Sequence, residues 1–342
     1  IGKRLAARGH RVTVYGRRPL SEEGSYCGVR IRIMPSIPTK NLDTASNALA
    51  STIHALFAGY DIIHYHAIGP SIFSWIPVMA GKTTVATIHA PDYRQEKWGE
   101  MARALLRLGE RTAVRRATAA VSVSRLMAER LQAQYHRDVR YIPNGAEIIE
   151  MPPFREAGDL GLESGRYILT VGRFIVERGF HTLLDAYGRV DTDLRLVIVG
   201  DARFEEHYAS SLKRLADGRV LFPGYICGRL LNELYAHCAF YVLPSTVEGL
   251  PISLIEAMSH SRPVLMSDIP ENLEVAGGIA RTFRAADAGD LVVSMRSMLE
   301  SGEEERAEMG RRGRERVLAE YTWDGVTDRL EQLYLECVGR ET

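Results

Sequence analysis

Residues 240–260 read FYVLPSTVEGLPISLIEAMSH. The apolar run AFYVLPS at 239–245 predicts a buried strand, Gly249 and Pro251 a turn, and the following segment a helix with Pro251 at its first position. The backbone N–H groups of such a turn and helix start converge on one place and favour an anion there. Two carboxylates flank that place, Glu248 and Glu256, with seven residues between them. Carboxylates repel an anion, so the pair is expected to hold something attached to it, such as sugar hydroxyls. Taken singly, each glutamate also has a plain structural reading: Glu248 as an ordinary carboxylate before a helix, Glu256 as an exposed helix residue opposite Leu254 and Met258.

Outward from this stretch, strands and helices alternate. Apolar, β-branched runs recur at 166–172, 194–200, 220–224 and 263–267, and before them at 11–15, 61–66, 83–89, 119–124 and 139–144. The segments between carry helical periodicity, as in 41–59 and 124–135. Short, wholly apolar strands alternating with helices imply parallel sheets covered on both faces. Residues 150–165, EMPPFREAGDLGLESG, interrupt the alternation and are expected to be a linker. The fold class is therefore α/β, with two doubly wound Rossmann-like domains, 1–150 and 151–321, facing a cleft. The long amphipathic segment at about 322–340 is expected to cross back onto the first domain. The opening IGKRLAARGHRVTVYGR reads as the last turns of a helix, a stop at Gly9 and a strand. A first strand and its loop are expected to precede that helix and to be missing from this numbering.

The 342 residues suit two domains, and 46% hydrophobic with 25% charged residues is an ordinary globular composition. Four scattered cysteines, Cys27, Cys227, Cys238 and Cys337, form neither a disulfide scaffold nor a zinc spacing and fit a reducing compartment. No apolar run is long enough to span a bilayer, and no signal peptide is visible. A cytoplasmic protein follows as the expectation, peripheral to the inner face of the membrane if it docks there. The net charge of zero hides an asymmetry. Residues 1–150 carry 21 Lys and Arg against 12 Asp and Glu, whereas the remainder has 22 against 31. The basic half favours an anionic partner, a phospholipid surface, a lipid-pyrophosphate or an anionic glycan; complementarity between the two domains accounts for the asymmetry equally well. Arg103, Arg107, Arg111 and Arg115 form an i, i+4 stripe that fits either an anionic lipid surface or a solvated helix face.

Further polar residues sit at strand ends, where open α/β sheets bind ligands. Gly172-Arg173 follows one strand, with Arg178-Gly179 just before a helix. Two guanidiniums there suit a pyrophosphate, although a lone Arg is usually a surface cation. Gly200-Asp201 ends a second strand, and Tyr225 and Ile226 follow a third, where a flat base fits against the backbone. In the first half His89 ends a strand, and Asp92, Tyr93, Arg94, Lys97 and Trp98 make a polar-aromatic loop of the kind that grips a substrate. Ser122–Arg125 and Asn144-Gly145 read as strand ends with turn chemistry. Asp191-Thr192-Asp193 imitates a metal-binding DxD but precedes its strand, at the amino end, and reads as a turn. No G-x-G-x-x-G follows any strand, which disfavours a dehydrogenase.

EGLPISLIEA, VGRF followed by ERG, IPNG and the strand-end His89 together resemble the retaining glycosyltransferases of family 4, over nearly the whole chain. The E-x7-E element with EGLP is the specific part. The resemblance implies a GT-B fold and retaining, metal-independent transfer from a nucleotide-sugar of UDP or GDP type to a glycan or lipid-linked acceptor. It implies no other cofactor, no nucleic acid and a place in cell-envelope polysaccharide assembly. It places Glu248 at the donor sugar, Glu256 at the ribose, Arg173 and Arg178 at the diphosphate, Gly249 and Leu250 in the loop whose amides meet sugar and phosphate, and His89 near the reacting sugar. Gly172, Gly200, Tyr225 and Ile226 complete the expected donor pocket. The family usually has Lys where this chain has Arg178, so the phosphate geometry differs. A nucleotide-sugar epimerase on the same fold and a non-catalytic partner-binding or membrane-binding member are the alternatives.

Overall fold

The computed structural model describes residues 1–342 apart from 19–20, 40–41, 95–97, 202–205 and 340–342. The chain forms two compact units: unit 1 is Ile1–Asn144 with Trp323–Thr342, and unit 2 is Gly145–Thr322.

Unit 1 runs α1 (Gly2–Ala7), β1 (Thr13–Gly16), β2 (Gly24–Tyr26), β3 (Val29–Ile33), α2 (Asp43–Phe57), β4 (Ile62–His66), α3 (Trp75–Met79), β5 (Thr83–Ile88), α4 (Glu100–Arg116), β6 (Ala119–Ser122), α5 (Arg125–Tyr135) and β7 (Arg140–Tyr141). Strands β4, β5, β6 and β7 make a parallel sheet in that order. A separate three-stranded sheet has the order β1-β3-β2, with β2 antiparallel to β3. The β2–β3 hairpin was not expected. Its turn is Cys27-Gly28, both at positive φ (47° and 80°), which matches the right-handed twist of the flanking strands. Ile63, Ile68, Ala86, Ile88 and Leu131 are buried in one core cluster of this unit.

Unit 2 runs β8 (Tyr167–Val171), α6 (Phe180–Gly188), β9 (Arg195–Val199), α7 (Glu206–Leu215), β10 (Val220–Gly224), α8 (Gly228–His237), β11 (Phe240–Leu243), α9 (Ile252–Ser259), β12 (Val264–Ser267), α10 (Pro270–Ala276), β13 (Arg281–Phe283), α11 (Ala288–Glu300) and α12 (Glu303–Glu320). Its six strands are all parallel, in the order β10-β9-β8-β11-β12-β13. β11 and β12 are buried along their whole length, which is why they read as unbroken apolar runs. The winding direction reverses between β8 and β11, and a crevice outside the carboxyl ends of strands at such a point is where doubly wound sheets bind ligands.

The chain returns to unit 1 as α13 (Trp323–Cys337), whose Val326, Leu330 and Leu333 are buried with Val85, Val121 and Ile142. Residues 150–165 are an ordered part of unit 2, and the boundary lies at Asn144–Gly145. Ala157 and Leu162 are buried, and the Glu233 carboxylate accepts from the Arg155 and Ala157 amides at 2.9 and 3.2 Å. Composition alone made this segment look like a linker; a buried carboxylate that satisfies its amides holds it in place.

Candidate functional site

The site is built where β8 and β11 end, and two loops form it. The first runs from Gly172 through a 3-10 turn at Val176–Arg178 to Gly179. The second runs from Pro244 to Pro251, which is the N-cap of α9 and not its first helical residue. Gly179 lies in the left-handed region (φ 67°), and a Cβ there would stand 2.1 Å from the Pro244 carbonyl oxygen. Only a residue without a side chain allows this approach. The Thr246 amide donates to the Glu177 carbonyl at 2.8 Å and ties the two loops together.

That tie brings Arg178 to Glu248. The Arg178 Nη1 donates to Glu248 Oε1, and the carboxylate is only 7% exposed. The guanidinium expected on a diphosphate is thus already engaged by the carboxylate expected on a sugar. A buried pair of this kind holds both groups in register, because removing either leaves the other charge uncompensated. Gly172 lies against the stem of Arg178: its missing Cβ would meet Arg178 Cδ at 3.4 Å. Gly200, just after β9, sits so close that a Cβ would stand 1.9 Å from the Gly172 carbonyl oxygen. Gly249 and Leu250 are buried directly after Glu248, and α9 starts with no side-chain cap on its N–H groups. Unsatisfied N–H groups at a helix start are anion-binding groups. Arg173 is exposed, and among the described residues no side chain holds it.

Glu256 lies one element deeper, on α9. It is half-buried and not the exposed helix residue of its plain reading, and Tyr235 Oη donates to its Oε2 at 3.0 Å. Burial raises the pKa of this carboxyl, and the Tyr235 hydrogen bond opposes the rise. Tyr225 is 68% exposed and Ile226 half-buried on the loop after β10. Asp193 pairs with Arg166, and Thr192 Oγ1 accepts from the Leu194 amide at 3.2 Å, in the irregular segment before β9.

Unit 1 offers a second cluster. His66 ends β4 and His89 follows β5, on neighbouring strands. His66 Nδ1 and His89 Nε2 are 3.1 Å apart with rings stacked at 5.4 Å, and His64 also stacks on His66, at 4.1 Å. One imidazole must donate and the other accept, so the tautomer of one sets that of the other. Desolvation, joined for His66 by the charge of His89, pushes both imidazoles below the ordinary histidine range; His66 keeps solvent access, which softens the effect. Ala67, immediately after His66, is left-handed (φ 69°) although it carries a Cβ, and its amide donates to the Thr87 carbonyl at 2.9 Å. Strain of that kind persists only where the surroundings impose it, commonly beside functional groups. In the sequence His66 reads as a strand residue, and its one site signal is the H-x-H at the end of 61–66. In the loop after His89, Tyr93 donates to Glu110 Oε2 at 3.1 Å and accepts from Arg130 at 3.1 Å, so it braces α4 and α5. Lys97 lies outside the described residues.

Among the described residues no group of His, Cys, Asp and Glu could hold a metal ion, and no helix is long and apolar enough to cross a membrane. A model of Glycosyltransferase Family 4 matches residues 1–148, and a model of Glycosyl transferases group 1 matches residues 165–301. Alpha-maltose-1-phosphate synthase of Mycolicibacterium smegmatis is 28% identical over 257 residues, 66% of this chain and 65% of that protein. The sulfoquinovosyl transferase SQD2 of Arabidopsis thaliana is 29% identical over 171 residues, 48% of this chain and 32% of that protein. The matches thus span less than two thirds of the length of either relative. A sucrose-phosphate synthase from Thermosynechococcus elongatus has a similar fold, with a TM-score of 0.85 at 20% identity, covering 99% of this chain and 92% of that one. HepE of Anabaena, solved with UDP and glucose, gives a TM-score of 0.76 at 18% identity, covering 90% and 86%. With a two-unit parallel α/β architecture, the E-x7-E element at the winding switch of unit 2, and the two models over residues 1–148 and 165–301, the chain has the GT-B fold and belongs to the family 4 type of glycosyltransferases.

Proposed function

We propose that this chain transfers a sugar from a nucleoside-diphosphate sugar to a glycan or lipid-linked acceptor, with retention at the anomeric carbon and without a metal. The observation that carries the reading is the arrangement at the β8–β11 switch point: Glu248 paired with Arg178, beside an uncapped start of α9 and an exposed Arg173. Charge builds on a departing diphosphate as the sugar–phosphate bond breaks. Arg173, Arg178 and the α9 N–H groups supply fixed positive potential for it, and one such preorganised donor is worth about 3–4 kcal/mol in comparable sites. Glu248 is assigned to the sugar hydroxyls, Glu256 to the ribose, and Tyr225 with Ile226 to the base. His89, with His66, is the candidate of unit 1 for a sugar hydroxyl. In the proposed step the C1–O bond to phosphate breaks, the acceptor oxygen bonds C1 on the same face, and its proton passes to the leaving phosphate oxygen. A UDP donor is the first choice, since HepE of Anabaena has been solved with UDP-glucose.

Melting the protein with UDP-, GDP-, ADP- and dTDP-sugars tests this. At a hundredfold excess over Kd the right donor stabilises by about 2.7 kcal/mol. Arg173→Ala should keep the unliganded melting temperature, because that side chain is exposed, yet weaken the donor about tenfold to a hundredfold. Donor affinity unchanged in Arg173→Ala removes the phosphate clamp, and stabilisation by none of the four donors removes the nucleotide-sugar.

A further inference from the structure

We propose that one face of unit 1, made by α2, α3 and α4, docks onto an anionic lipid bilayer. The observations begin with α2, whose sequence DTASNALASTIHALF carries one carboxylate, Asp43, and no Lys or Arg. Asn47, Ala48, Thr52 and Ala55 are buried, so one face of the helix packs on unit 1. The opposite face carries an apolar stripe: Leu49, Ile53 and Phe57 repeat every four residues, all exposed, Phe57 to 84%. The solvent side of a helix packed by one face ordinarily carries charged and polar residues. This one presents large apolar side chains to water.

The neighbouring elements continue the pattern. α3 contacts both α2 and α4 and exposes Trp75 and, to 78%, Met79. α4 exposes Met101 to 80%, with Leu105 and Leu108. A shallow apolar cavity of about 430 Å³ opens beside the α2 stripe, lined by Met34, Pro35, Ala50, Ile53, His54 and Phe57. Three consecutive helices thus present large apolar side chains to solvent, which is unusual unless something covers them.

Charge decides what covers them. Arg107, Arg111 and Arg115 are exposed on α4 next to its apolar residues. Arg107 lies over the Tyr93 ring at 5.5 Å and Arg115 over the Tyr135 ring at 5.7 Å, and both tyrosines bond Glu110. The stacking sets the guanidiniums on a braced surface. Glu110 itself is buried and paired with Arg130, so it does not neutralise the stripe. Apolar side chains flanked by arginines, with Trp75 among them, fit the boundary between acyl chains and phosphate headgroups. A second copy meeting this face about a two-fold axis would set arginines against arginines, which disfavours self-association.

Flotation with vesicles of phosphatidylcholine alone, and with about a third phosphatidylglycerol, provides the test. The full chain should float with the anionic vesicles and lose most of that binding between roughly 0.1 and 0.5 M salt. Arg107→Gln with Arg111→Gln should weaken partitioning about twentyfold, near fivefold per arginine. Phe57→Ser with Met79→Ser should weaken it at least about tenfold. Both double variants should keep the wild-type melting temperature and donor-induced stabilisation, which separates lost docking from lost folding. No vesicle binding, equal binding to neutral vesicles, or indifference to both variants would overturn the proposal. So would a dimer in sedimentation that Phe57→Ser turns into a monomer, since a second copy would then cover the face. The inference does not rest on sugar transfer: vesicle binding without donor stabilisation, or the reverse, tells the two apart.

Discussion

Replacing Gly179 by alanine strikes the joint on which the unit 2 site depends. A left-handed backbone costs an alanine about 1 kcal/mol relative to glycine. The new methyl would lie 2.1 Å from the Pro244 oxygen and 2.9 Å from its carbonyl carbon, so the two loops must part by about an ångström. Overpacking of this kind costs about 1–3 kcal/mol, and the 2.8 Å bond between Thr246 and Glu177 stretches with it. The sum is about 2–4 kcal/mol, which for a unit the size of Gly145–Thr322 lowers its melting temperature by roughly 5–15 °C. Because Arg178 precedes Gly179, the same movement pulls the guanidinium from Glu248, and donor-induced stabilisation should fall with it. Scanning calorimetry, with the unit 2 transition followed separately, reads the first effect and thermal shift with the donor reads the second. Gly188→Ala is the control: it ends α6 with no heavy atom in reach of its Cβ and should be neutral or slightly stabilising. A Gly179→Ala protein melting within about 1 °C of the wild type would refute the close approach and, with it, the idea that it positions Arg178.

Two further outcomes follow from buried titratable groups. The Glu256 pKa is raised by burial, so the folded chain holds this proton where the unfolded chain has released it. Its stabilising contribution is greatest below the unfolded carboxyl value of about 4.3 and is lost as pH rises through the folded value. Glu256→Gln, which keeps an acceptor for Tyr235, should therefore gain in melting temperature over the wild type near neutral pH but not at about pH 4. A difference that does not change with pH would mean the carboxyl is not desolvated. The imidazoles of His64, His66 and His89 are depressed by desolvation, so their contribution is full above the unfolded value of about 6.5 and lost as pH falls toward the folded values. His66→Asn with His89→Asn should flatten the loss of stability on acidification below about pH 6.5, and an unchanged pH–stability curve would place that sensitivity elsewhere.

Long apolar strands were readable because both faces are covered, so β8, β9, β11 and β12 needed no alternation to be seen. β2 and β13 were not. β2 is three exposed residues and β13 three residues of which Phe283 alone is buried, and both take their register from a neighbour and not from their own composition. The same limit applies to the site. Glu248 and Glu256 stood out by spacing and Arg173 by its place after a strand. The contact of Arg178 with Glu248 spans 70 residues and exists because Gly179 lets two loops close up. Tyr235 on Glu256 and His66 on His89 are likewise partners across elements, which periodicity along one element does not display. Residues 150–165 misled for the converse reason: a loop-like composition is held down by a carboxylate far along the chain.

α13 bears on synthesis. Unit 1 is interrupted: the chain leaves it at Asn144 and re-enters at Trp323, and only then do Val326, Leu330 and Leu333 reach the sheet face formed by Val85, Val121 and Ile142. Unit 2 has both its ends in one place, with the Ala146 amide 2.8 Å from the Tyr321 carbonyl. It can close on itself as soon as Thr322 has emerged. A ribosome adding about 5–20 residues per second makes Gly145–Thr322 in roughly ten to forty seconds. Through that interval the nascent unit 1 lacks the helix that covers Val85, Val121 and Ile142, so it can be completed only after all of unit 2 has been made. A stalled or truncated chain ending before α13 would carry a finished unit 2 and a unit 1 exposed to chaperones and proteases.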